Sequence, residues 1–388
     1  MSSPDATATD TPDSETLSRL FAICERSECS DIHIAAGQPP WMRLRGVMNP
    51  VERSLLSGDA VRKAAASLAA LTLPPEKAAA MAADGGIAVD SLLASGAIDG
   101  ACSSRSGTRY RFNIFRESAG CAIALRRLDE SFRSFAQLQL PDTLGEFCRF
   151  RDGLAIVTGP TGSGKSTTLA TIIDILNHTR EGHIVTIEDP VEYIHHSAKC
   201  LVRQRQIGRD ARNFNSALVE ALRQDPDIIL VGEIRDLDTI RTAITAAETG
   251  HLVFTTLHAG DCAGAVERII SVFPAGEQDG IRHQLAMVLR GIFAQHLVAT
   301  QDGAGRVPAC ELMIATPAIA NLVATGRTNQ LASAIETGGA MGMFTLDQSL
   351  SSLVAAGRIS PSAAMGYSRN PDTLAARTNR IMGVDRHG

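Results

Sequence analysis

The chain has 388 residues, 44% of them hydrophobic, a length that predicts two globular domains with real cores. Its 37 Lys and Arg against 42 Asp and Glu leave a net charge of −5, which argues against a broad basic face for nucleic acid. The eight cysteines (Cys24, Cys29, Cys102, Cys121, Cys148, Cys200, Cys262, Cys310) form no C-x-x-C pair and read as reduced thiols of a cytoplasmic protein; with no apolar run of about 18 residues and no signal peptide, membrane association is expected only through partners.

Residues 1–15 hold mainly Ser, Thr, Pro, Asp and Ala, too polar to bury surface, and are expected to be a disordered tail. A small α+β domain is predicted over 16–128. Leu17, Leu20, Phe21 and Cys24 fall at helical spacing, and 31–34, 41–44, 109–115 and 122–125 alternate as strands. The stretch 82–107, rich in Ala, Gly, Ser and Asp, is expected as a surface loop or insertion. A linker and lead-in over 129–152 precede a region in which strands and helices alternate through Thr300, the pattern of a parallel sheet flanked by helices. Beyond Pro308 the reading is helical, punctuated by Thr316-Pro317, Gly338-Gly339 and Ser360-Pro361.

The chemistry starts where the apolar run 154–157 meets Gly159, Pro160, Thr161, Gly162, Ser163, Gly164, Lys165, Ser166 and Thr167. This strand-then-loop order is the context a P-loop requires. The glycines let backbone N–H groups converge on phosphates, Lys165 reaches the β/γ oxygens, and the Ser166 hydroxyl suits Mg²⁺ at a helix N-terminus. A glycine-rich turn without a ligand is the bland alternative; Leu169, Ile172, Ile173 and Leu176, which continue the helix, argue against it. ATP with Mg²⁺ is therefore the expected ligand. Next, 184–187 reads as a strand delivering Glu188, Asp189 and Glu192. A buried strand over 227–231 leads to Glu233, the natural place for a Walker B carboxylate. The strand 252–256 is bracketed by His251 and His258, and a histidine there is as readily structural as catalytic.

The segments 187–192, 225–236 and 246–258 resemble the Asp box, Walker B and His box of secretion ATPases, in particular the PilT type, motor ATPases of type IV pilus retraction. The resemblance runs from about Ser30 to Ala364. It implies an α/β fold: a RecA-like P-loop ATPase domain over 153–388 with a helical C-terminal part, behind a PAS-like N-terminal α+β domain. It further implies that Glu192 activates the hydrolytic water, that Glu233 supports Mg²⁺ and catalysis, and that His251 and His258 sense the γ-phosphate or couple it to motion. A homohexamer is implied, with arginines of one N-terminal domain, Arg109 and Arg111 among them, crossing to the neighbour's nucleotide. The implied partners are an inner-membrane pilus platform protein and a paralogous pilus ATPase, at the cytoplasmic base of the machine, with no nucleic acid. Secretion and extension ATPases usually add an N-terminal domain and a four-cysteine zinc motif; lacking both, this sequence fits the retraction branch. Ala320 stands where that branch commonly has arginine. A pilus-assembly or type II secretion ATPase and an accessory nucleotide-binding subunit stay open as alternatives.

Overall fold

Strand alternation between apolar and polar residues builds the first of two units. The computed structural model describes residues 11–27, 29–44, 46–73, 76–78, 89, 91, 93–118, 120–128 and 131–381. The first unit comprises Met1–Ser131, Glu188–Ile194 and Gln204–Asn213; the second comprises Phe132–Ile187, His195–Arg203 and Phe214–Gly388.

In the first unit six strands, β1 (Asp31–Ala35), β2 (Trp41–Leu44), β3 (Val47–Pro50), β4 (Ile98–Ser103), β5 (Arg109–Glu117) and β6 (Gly120–Arg127), form one antiparallel sheet in the order β3-β2-β1-β6-β5-β4. Helices α1 (Glu15–Ser27) and α2 (Gly58–Ala70) supply Leu17, Leu20, Phe21, Val61 and Leu68 to the core that Ile32, Ile34, Phe112, Ile114 and Leu125 share. Phe21 stacks on Tyr110 with ring centroids 4.3 Å apart.

Several expectations change here. Most of the tail expected at 1–15 lies outside the described residues, and α1 starts at Glu15. Of the stretch 82–107 expected as loop, residues 82–88, 90 and 92 also lie outside them, but β4 occupies 98–103 and pairs along β5. Composition hid this strand because it contains Gly100: a Cβ there would stand 2.4 Å from the Phe112 ring, so the glycine makes room for the ring. Cys24 and Cys29, expected as free thiols, are joined in a disulfide that closes the turn from α1 towards β1 with Cα atoms 5.0 Å apart.

The second unit carries a seven-stranded sheet in the order β13-β12-β7-β11-β10-β8-β9. Its strands are β7 (Gly153–Thr158), β8 (Gly182–Glu188), β9 (Cys200–Gln206), β10 (Ile228–Val231), β11 (Leu252–Leu257), β12 (Leu289–Ala299) and β13 (Arg306–Ile314). From β12 through β8 all neighbours are parallel, and β13 returns antiparallel on β12. The central strands β7, β10 and β11 are buried at every position, as strands covered on both faces must be. β13 runs through Pro308 where a helical reading was expected; as the terminal strand of the sheet it tolerates a residue without an N–H.

The helices of this unit are α3 (Lys165–Thr179), α4 (Phe214–Ala221), α5 (Leu237–Glu248), α6 (Cys262–Ser271), α7 (Gln278–Val288), α8 (Pro317–Ala324), α9 (Leu331–Thr337), α10 (Leu346–Ala355), α11 (Pro361–Met365) and α12 (Pro371–Ile381). The expected linker is partly core, since Leu144 and Phe147 pack fully buried with Leu169, Ile172 and Phe293. Among the described residues no helix is long and apolar enough to cross a membrane.

Candidate nucleotide site

In an open parallel sheet, ligands bind beyond the C-terminal ends of the strands. β7 ends at Thr158, and 159–164 then turn the chain into α3. Three glycines here have positive φ: Gly159 at 150°, Gly162 at 78° and Gly164 at 90°. Gly164 precedes α3 with no side chain capping the helix, so its first N–H groups are offered outward with the positive end of the helix dipole. Lys165 is buried, and its Nζ donates to Gly159 O at 2.9 Å and Pro160 O at 3.0 Å, folded over the loop. Burial holds its pKa below the usual lysine value, while the Glu233 carboxylate acts in the opposite sense. Ser163 Oγ is buried with no hydrogen-bond partner, a hydroxyl without an acceptor inside the loop. Ser166 is exposed at the mouth of the helix. An uncapped helix end, an unsatisfied buried hydroxyl and a loop-bound ammonium together fit a phosphate group.

The neighbouring strand ends bring in the acid and one histidine. β10 ends at Val231, and Gly232 N donates to Ile187 O at 2.8 Å while Thr256 Oγ1 donates to Gly232 O at 2.6 Å, fixing the backbone that presents Glu233. Glu233 Oε1 meets Arg235 at 2.5 Å, and Glu233 Oε2 lies 3.4 Å from His258 Nε2. Burial lowers the His258 pKa, Lys165 lowers it further and Glu233 opposes both. Among the described residues no cluster of three or more His, Cys, Asp or Glu forms a metal cage. Mg²⁺ takes few protein ligands and completes its shell with phosphate oxygens and water, and the Ser166 hydroxyl and Glu233 carboxylate are oxygen donors of the kind it accepts.

The structure does not bring His251 to this place. His251 precedes β11 and His258 follows it, so the rise of a strand separates them by about 20 Å. His251 instead turns Nδ1 to Ala246 O at 3.0 Å, in the last turn of α5.

Glu192 belongs to the first unit. Its Oε1 lies 3.4 Å from Arg111, whose side chain is 44% exposed. Arg109 is buried at 2% exposure and donates to Val191 O at 2.9 Å and Ser103 Oγ at 3.3 Å. The two arginines expected to cross to a neighbour thus differ: Arg109 secures the backbone beside Glu192 within this unit, and only Arg111 has the exposure an intersubunit arginine needs.

Two residues that sequence reasoning passed over support the site. Thr158 Oγ1 donates to Ala259 O at 2.9 Å and accepts from Ala259 N at 3.0 Å, tying the loop after His258 to the strand before the P-loop. Gln295 Oε1 accepts from Thr168 Oγ1 at 2.7 Å, anchoring α3 to β12. A hydroxyl at the end of an otherwise apolar buried strand was the available signal for Thr158; Gln295 offered none, because its partner is 127 residues away in sequence.

Residues 104–352 match the family model described as type II/IV secretion system protein. The chain belongs to that family. Within it, the chain is 40% identical over 358 residues to the type IV pilus retraction ATPase PilT of Pseudomonas aeruginosa, covering 92% of this chain and 99% of that protein. It is 46% identical over 267 residues to a twitching motility protein of Neisseria gonorrhoeae, 69% of this chain and 71% of that one. A crystal structure of the pilus retraction motor PilT with bound ADP superposes with TM-score 0.80 at 37% identity, covering 93% of this chain and 99% of that chain. The RecA-like reading of the large sheet and the small N-terminal α+β domain accord with this type II/IV secretion family likeness.

Proposed function

We propose that this type II/IV secretion family ATPase is a motor that drives type IV pilus retraction and twitching motility. The observation that carries the reading is the meeting of Lys165, Glu233 and His258 at adjacent strand ends, in a chain that matches a pilus retraction ATPase over nearly its whole length. On binding ATP, Lys165 exchanges the carbonyls of Gly159 and Pro160 for β/γ-phosphate oxygens, and the α3 N-terminus with Ser163 Oγ receives the remaining charge. Ser166 and Glu233 would hold Mg²⁺, whose chemistry is to offset the negative charge of the β- and γ-phosphates. His258 contacts the γ-phosphate as a hydrogen-bonding group. Glu192 takes the proton of the attacking water as general base. A homohexamer in which Arg111 reaches a neighbouring subunit, and a platform protein at the cytoplasmic face of the inner membrane, complete the proposal. A second reading, an accessory retraction ATPase working beside a paralogue, is favoured by Ala320, which puts a methyl group on α8 where the family's retraction motif commonly has a cation.

The test is phosphate release by the purified full-length protein. Lys165→Ala should lower turnover by about a hundredfold or more, as loss of a charged group on the reacting phosphates does. Turnover within about twofold of the parent would contradict the assignment.

A further inference from the structure

The segment from His258 to Cys262 leaves β11 and opens α6, and it is fastened along its length. Ala259 is held at both backbone polar atoms by Thr158 Oγ1. Gly260 O accepts from His296 Nε2 at 2.7 Å, and the Tyr367 ring meets His296 edge-on with centroids 5.6 Å apart. Asp261, 5% exposed, caps α6 by accepting from Gly264 N at 2.7 Å and also forms an ion pair with Arg369, just before α12. Cys262 N donates to Glu311 Oε1 at 2.9 Å, and Leu346 N donates to the other oxygen, Glu311 Oε2, at 3.2 Å. Glu311 on β13, 7% exposed, therefore bridges the first residues of α6 and α10 with one carboxylate.

We propose that Glu311, Asp261 and Arg369 are positioning residues that transmit the state of the γ-phosphate from the end of β11 to the C-terminal helices, so that ATP and ADP set different ordering in 346–369. The inference rests on reading His258 and Glu233 as nucleotide-facing. Its physical basis is that both oxygens of Glu311 are committed to helix N-termini, where a carboxylate is favoured. A shift of Cys262 must then either break one of these bonds or carry α10 with it, because the packed interior leaves no slack. Asp261 adds a second tie from the same loop to the segment beyond α11. These contacts give the two nucleotide states a differential interaction to act on, which any coupling requires.

Hydrogen exchange of the full-length protein, saturated with ADP or with a non-hydrolysable ATP analogue, reads this directly. In the wild type, peptides within 346–369 should exchange differently in the two states. Asp261→Asn keeps a capping side chain and removes the charge; Arg369→Gln changes an exposed partner, so both variants should fold. Each should shrink the ATP-analogue-to-ADP difference at least about fivefold, with ADP affinity within about twofold of the parent. A merely structural role would raise exchange equally in both states. Equal exchange of the two wild-type states, or an undiminished difference in both variants, would overturn the inference while leaving the nucleotide-site reading intact. Failure of the wild type to bind the analogue would overturn both.

Discussion

At Glu192 a single carboxylate oxygen faces Arg111, and the amide of Glu192→Gln keeps the size of the side chain while losing its basicity. ATP binding by this variant should persist, and hydrolysis should fall by about 10²–10⁴, the range for loss of a general base. Weakened ATP binding with normal turnover of bound ATP, separated in a single-turnover experiment, would make Glu192 a binding group. A second residue sets acid sensitivity. His195, packed on Phe132 with ring centroids 4.8 Å apart, is pushed down from 6.5 to about 4, first by burial and then by the neighbouring His196 and His178. Between those values the unfolded chain binds the extra proton, so stability rises with pH across the window. It is lost as pH falls from about 6.5 towards 4, by up to about 3 kcal/mol. His195→Leu should flatten that slope in urea unfolding at pH 7 and pH 5; a slope equal to the parent's would refute it. Lys165 and Glu233 are legible from their offsets to the glycine loop and to a buried strand, whereas the roles of Glu192 and His258 come from the resemblance to secretion ATPases. The sequence could not separate Arg109 from Arg111 or His251 from His258, since burial and strand direction are properties of the folded sheet.

At the scale of elements, the P-loop glycines divide by what surrounds them. A Cβ on Gly159 would meet Gln295 O at 2.2 Å, whereas one on Gly162 has nothing within 4 Å and only its φ of 78° to contend with. Gly162→Ala should cost about 1 kcal/mol from the left-handed backbone, and Gly159→Ala about 3 kcal/mol or more, because it also drives a methyl group into the backbone of β12. Equal losses in urea unfolding would contradict this reading of the loop. Elements with strong periodicity were legible: Leu17, Leu20, Phe21 and Cys24 are all buried on α1, and Leu169, Ile172, Ile173 and Leu176 on α3. β4 and β13 were not, because Gly100 and Pro308 break the local pattern for reasons that lie in their partners, the Phe112 ring in one case and the edge position in the other.

Across the whole molecule, the grouping of Glu188–Ile194 and Gln204–Asn213 with the first unit was not readable from the sequence. The contacts that create it, such as Arg109 to Val191 O, join residues 82 apart in sequence and leave no periodic trace. The same holds for the direction of the motor, which depends on partners that the P-loop chemistry does not specify. The most direct test of the central claim is retraction itself, followed as shortening of fluorescently labelled pili in cells of the source organism whose only copy of this gene carries Lys165→Ala. Cells with the parental gene should retract their pili, whereas the variant strain should carry more pili and show few or no shortening events. Retraction at the parental frequency in the Lys165→Ala strain would contradict the account.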